Sequence, residues 1–227
     1  MNISPRLSHR SEGIFDAQNW ISEGDGLLAS SQKVRETWAE HRKTFSENIV
    51  HKRNVASDWP LLTGLPRSSM LLLGYAAEMY LKAGIVKAYI GCSHQMFDRD
   101  IKRLYRHNFP KMAEELKFSL SDGDREDLAT LQNMVLADAR YPIEIGDGGS
   151  YADAKNEQTS RIWNSDNYAR LLELVNRLRA HSSLIDADCD CPCTYFSYQI
   201  DNDGCQSRCS HGCCINWSYN FCHLAIV

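Results

Sequence analysis

Residues 67–91, RSSMLLLGYAAEMYLKAGIVKAYIG, constrain the fold more than any other stretch of the chain. Leu72, Tyr75, Ala76, Met79, Ala83, Val86 and Ile90 recur at helical intervals and mark a face that must be buried. Glu78 and Lys82 stand one turn apart on the flank of that stripe, with the acid first, the better orientation along a helix. The segment reads as a core-facing helix with a charged pair at its edge. Such a helix needs other helices to cover it.

The flanking sequence supplies them. From about Asp16 to Ile49 a helical pattern runs through Trp20, Leu27, Leu28, Val34, Trp38, Phe45 and Ile49. Gly24-Asp25-Gly26 interrupts it, and each Gly costs about 1 kcal/mol against Ala in a helix interior, so a kink or break is expected there. Residues 51–66, with Pro60, Gly64 and Pro66, read as a connection. Asn108 is placed to cap a short helix whose first turn accepts Pro110. Asp122 or Asp124 opens another helix, with Leu128, Leu131, Met134 and Val135 inward, which Pro142 ends. Residues 142–160 carry Gly146, Gly148 and Gly149 without a clear period and read as a loop. The last helix, from about Ser160 or Asp166 to Ala180, has the stripe Tyr168, Leu171, Leu172, Val175 and Leu178. Nothing alternates with period two over a useful length. The fold class is all-α: a bundle of four main helices with short extras.

Charge and cysteine divide the chain near residue 186. The net charge of −4 lies in residues 186–227, with five Asp, one Arg and no Lys or Glu, so residues 1–185 balance at zero. Bulk charge therefore gives no basic nucleic-acid-binding domain, although Arg99, Lys102, Arg103 and Arg106 form a local basic run. Only Cys92 precedes the eight cysteines between residues 189 and 222. CDCPC at 189–193, then Cys205, Cys209, His211, Cys213, Cys214, Cys222 and His223, offer thiolates and imidazoles for zinc; Cys205-x3-Cys209 and Cys209-x3-Cys213 fit its spacing loosely, but no second well-spaced pair completes a known finger or ribbon. Disulfides would need export, and the N-terminus lacks an apolar signal-peptide core. The tail reads as an accidental or accessory end, with a zinc-dependent interaction module as the alternative. No apolar run approaches the roughly 18–20 residues that span a membrane, so no membrane association is expected and the chain reads as cytoplasmic. The division is 1–14, a loose N-terminus; 15–181, the bundle; and 182–227, the Cys-rich irregular tail.

With these segments placed, residues 15–181 resemble the HEPN family of small helical bundles associated with nucleotides and RNA. The carriers are AQNWISEGDGLLASS around Trp20, GYAAEMYLKA at 74–83, HNF at 107–109 and RYP at 140–142. The resemblance implies a four-to-five-helix bundle and a homodimer formed through helix faces. It also implies nucleotide, RNA or partner-protein binding, a nucleotidyltransferase for example, in a defence or toxin–antitoxin setting. Many HEPN proteins are metal-independent RNases that use Arg-x4-6-His at the start of the last helix, where His moves protons and Arg stabilises the phosphorane.

That motif is missing here. Arg35 and His41 fit the spacing but lie on the first helix and read as a solvated helix face, while Arg177–His181 and Arg103–His107 are too short. The expected function is binding without the usual RNase motif, with no cofactor, no metal and no assigned catalytic residue. The alternative is an RNase whose histidine is His107 or His181. Candidate ligand-binding residues are Glu78, Lys82, His107, Arg140 and Tyr141. His107 could meet an anion at a helix start, while Arg140 could clamp a phosphate with Tyr141 stacking on a base. GDGGS at 146–150 lacks the Lys of a phosphate loop.

Overall fold

The computed structural model describes residues 16–51, 56–88, 107–138 and 150–185. These form six α-helices and no strand: α1 (Ala17–Val50), α2 (Trp59–Ala88), α3 (Phe109–Glu115), α4 (Asp122–Asn133), α5 (Tyr151–Trp163) and α6 (Ser165–Leu184). A single 3-10 turn, Ala56–Asp58, leads into α2, and the π-helical turn Met134–Asp138 continues α4. Among the described residues, no helix is long and apolar enough to cross a membrane. The protein is an all-α bundle, as the sequence pattern requires.

Helix starts follow local chemistry. Asp16 Oδ1 accepts from the Gln18 amide at 2.9 Å and caps α1. Asn108 Oδ1 accepts from the Lys111 amide at 3.1 Å and caps α3, with Pro110 in its first turn. Asn164 closes α5 and opens α6, its Oδ1 accepting from the amides of Asp166 (2.9 Å) and Asn167 (3.1 Å). At the end of α3, Lys117 adopts φ 54°. Its amide donates to Glu114 O and the Phe118 amide donates to Ala113 O, both at 3.0 Å, the paired bonds of a Schellman ending normally given to glycine.

Three expectations change. First, α1 is one 34-residue helix through Gly24-Asp25-Gly26. Its buried line is Ile21, Gly24, Leu28, Ser31, Arg35 and Trp38, while Ile49 is 52% exposed. Second, α2 begins at Trp59, so Pro60 and Pro66 lie inside it. Pro60 sits in the first turn, where its missing N–H is not needed. Pro66 leaves the Leu62 carbonyl without its usual donor four residues on. The Trp38 indole N–H donates to that oxygen at 3.1 Å and so fills the gap. Third, residues 151–160 are not loop but most of α5. Only Gln158 and Ile162 of that helix are buried, which leaves it no apolar stripe to recognise.

The chain divides into two compact units. One comprises, of the described residues, 16–22, 79–88, 107–121 and 178–185. Its core holds Ile21, Tyr80, Ile85, Phe109, Met112 and Leu116. Here α2 approaches closely at Gly84: a Cβ would come within 2.6 Å of Leu116 Cδ1 and 3.0 Å of Ser182 Oγ. The Ser182 hydroxyl donates to Tyr80 O at 2.8 Å. The other unit comprises 23–51, 56–78, 122–138 and 150–177, with Trp38, Leu62, Met70, Leu73, Leu128, Leu131 and Leu171 at its core. In it Gly74 lies against α4, where a Cβ would meet both Leu131 O and Val135 Cγ2 at 2.9 Å.

Candidate functional site

The sequence-derived site residues occupy different settings. Glu78 is not at an edge but 2% exposed, because α2 is buried on nearly every side at its level, as its own Ala76, Ala77, Tyr80 and Leu81 are. Lys82 is half-buried, its ammonium 5.1 Å from the centre of the Trp20 ring. His107 is exposed, just before the cap of α3. Arg140 and Tyr141 lie outside the described residues, as do the basic run at 99–106, the glycine-rich segment 146–149 and the Cys-rich tail with its zinc alternative.

Arg35 is not on a solvated face. It is 8% exposed, and its guanidinium donates to the carbonyl of Ile162 (2.7 Å) in the last turn of α5 and to that of Asn164 (3.1 Å), which also accepts from the Tyr168 amide at 3.2 Å. It lies 4.2 Å from the Trp38 ring centre and 4.8 Å from that of Tyr168. Burial lowers its pKa to about 10, against the pull of Tyr168, so it is a cation at neutral pH. Below it the Ser31 hydroxyl donates to Ser69 O at 2.7 Å and lies 2.9 Å from the Tyr168 hydroxyl. These residues tie helices together. His181 is likewise engaged: Nε2 lies 2.9 Å from Leu116 O, and the ring packs edge-on to Phe118 at 5.3 Å. Arg177 pairs with Asp124.

A cleft of about 690 Å³ opens between the N-terminal turns of α2 and the length of α5, within the second unit. That volume suits a small organic ligand. Gln158 and Ile162 form its buried floor, at 8% and 6% exposed. Trp59 and Tyr151 stand at the rim, 54% and 49% exposed. Trp59 is buttressed rather than isolated, with Phe45 and Trp163 ring centres at 6.2 and 6.4 Å, and Trp163 in turn 6.0 Å from Trp38.

The polar lining is cationic and amide-like: Arg67, Lys155, Asn156 and Gln158, with Thr63 and Thr159. Among the described residues, no Asp or Glu lines the cleft. Among the described residues neither Arg67 nor Lys155 has a carboxylate partner; Lys155 lies 5.8 Å from the Tyr151 ring centre. Arg67 donates to Gln158 Oε1 at 2.8 Å. Two unneutralised cations beside two exposed aromatic faces suit a ligand with both an anion and a flat ring. The cleft is hidden in the sequence because Lys155 and Gln158 fall in a stretch that reads as a loop and Trp59 in one that reads as a connection. The usable signals were the Trp59-Pro60 pair as a helix start and the spacing Tyr151, Lys155, Gln158, Ile162, which is helical but polar. No family model, curated protein or solved structure matches the chain.

Proposed function

We propose that this chain is a HEPN-like helical bundle that binds a nucleobase bearing phosphate, as a free nucleotide or as unpaired RNA, in the α2–α5 cleft. The observation that carries this reading is the lining itself: Arg67 and Lys155 with no carboxylate among the lining residues, next to the exposed faces of Trp59 and Tyr151. Base stacking on an aromatic side chain contributes about 1–3 kcal/mol and tolerates every base. The cations supply a phosphate term that salt weakens. The absent Arg-x4-6-His and the engagement of His181 with Leu116 O favour binding over cleavage.

Titration of the full chain with adenosine 5′-monophosphate and with a single-stranded decanucleotide, read by tryptophan fluorescence, tests it. Quenching that saturates is expected. Trp59→Ala should weaken it by about 5- to 150-fold, the range of one lost stack, and Lys82→Ala should leave it unchanged. No saturable binding by either probe, or binding indifferent to Trp59→Ala and Lys155→Ala together, would remove this assignment.

A further inference from the structure

The floor of the cleft has a more specific chemistry than its rim. Gln158 is nine-tenths buried, yet its amide is only half used. Arg67 is donor-only, so the oxygen of the amide must face it, and the 2.8 Å bond fixes that orientation. The amide nitrogen has no partner among the described residues, and it is not sealed from solvent either. Gln158 lines the cleft, and both N–H donors of its amide are unspent among the described residues. Arg67 spends one of its N–H groups on Gln158 and has no other partner among the described residues. The floor therefore presents an array of donors, one of them carried by a full positive charge, with the amide oxygen turned to Arg67.

Such an array is complementary to a group rich in acceptors and negative charge. A terminal phosphate monoester offers three free oxygens and up to two charges, whereas a phosphodiester within a strand offers two oxygens and one charge. A base edge placed here would have to present acceptors only. The aromatic faces that suit a base stand instead at the exposed rim, at Trp59 and Tyr151. From this geometry, resting on the binding reading above, we infer that Gln158, oriented by Arg67, recognises the terminal phosphate monoester of the nucleobase-bearing ligand, with the phosphate on the floor and the base at the rim.

Paired probes test this on the full chain: adenosine 5′-monophosphate against adenosine, and a single-stranded decanucleotide with a 5′-phosphate, a 3′-phosphate or hydroxyls at both ends. The phosphorylated member should bind about ten- to a hundred-fold more tightly, the range expected for hydrogen bonds to a charged group. Preference for the mononucleotide or for one phosphorylated strand end identifies the source, and either supports the inference. Gln158→Glu keeps an acceptor for Arg67, and with it the local fold, but replaces the N–H donors with negative charge. It should abolish the phosphate preference while adenosine binding persists, with an unchanged melting temperature as the control for folding. Equal affinity for phosphorylated and hydroxyl probes, or a preference that survives Gln158→Glu, overturns the inference and leaves the binding reading standing. Binding of none of the probes overturns both.

Discussion

Replacing Trp38 by Phe isolates the bond that closes the gap at Pro66. Trp38 is 1% exposed, and its indole N–H is the donor that reaches the Leu62 carbonyl from outside α2. The substitution has two costs. Losing the fused edge of the indole leaves a cavity, about 2 kcal/mol if the truncation is roughly half of a Trp→Ala change. Losing the N–H leaves a buried carbonyl unsatisfied, about 1–2 kcal/mol. The sum is about 3–4 kcal/mol. The second cost exists only because residue 66 is proline. In a Pro66→Ala background the new amide at 66 lies four residues from Leu62 and can donate to the same oxygen. There Trp38→Phe should cost only the packing part, about 2 kcal/mol. Urea unfolding of the wild type, both single variants and the double variant gives the coupling directly, with an expected value of about 1–2 kcal/mol. A coupling below about 0.5 kcal/mol, the limit of ordinary additivity, would refute the idea that Trp38 stands in for the donor proline removes.

Arg35→Lys should destabilise the protein by at least about 1.5 kcal/mol in the same assay, because one ammonium cannot satisfy both the Ile162 and Asn164 carbonyls across the geometry the guanidinium spans. Gly74→Ala should cost about 1–3 kcal/mol, since the new methyl meets the Leu131 backbone carbonyl, which cannot step aside like a side chain; an unchanged urea midpoint would count against that close approach. Lys117→Gly should raise stability by up to about 1 kcal/mol, since φ 54° costs an L-residue more than it costs glycine; a lower melting temperature would contradict it. Burial raises the Glu115 pKa above its ordinary value, so the folded state binds the proton more tightly. Its contribution is fully present below the unfolded-state pKa and is lost as pH rises through the folded-state pKa. Glu115→Gln should therefore flatten the decline in stability across that interval, and parallel stability–pH curves for the two proteins would rule this out.

Much of the bundle was legible because leucine-rich stripes carry their own period. Leu128, Leu131, Met134 and Val135 are buried as the spacing requires, and so are Tyr168, Leu171, Val175 and Leu178, whereas Leu172 of the same stripe is half-buried and Leu174 is buried instead. Asn108 caps α3 as its side chain allows. Errors fell where burial is achieved by polar or small residues. The inner line of α1 includes Gly24, Ser31 and Arg35, so the apolar residues alone suggested a face displaced round the helix. Pro66 resembles a helix breaker until a side chain 28 residues earlier in the chain answers its open carbonyl. The cleft was the least legible part. Its cations and its buried glutamine lie on a helix with almost no apolar signature, and their proximity depends on α5 packing beside the first turns of α2.

The polar inner line of α1 also fixes how that helix may slide. A helix held only by leucines can shift by one turn and find another apolar socket at little cost. Here a one-turn shift would pull Ser31 from Ser69 O, Arg35 from the carbonyls of Ile162 and Asn164, and Trp38 from Leu62 O, all at once. The bonds to Ser69 O, Ile162 O and Leu62 O are buried, so the misaligned packing loses them together rather than one by one. The serine, the arginine and the indole thus act as an alignment key, and the core of this unit has one register in which they all fit.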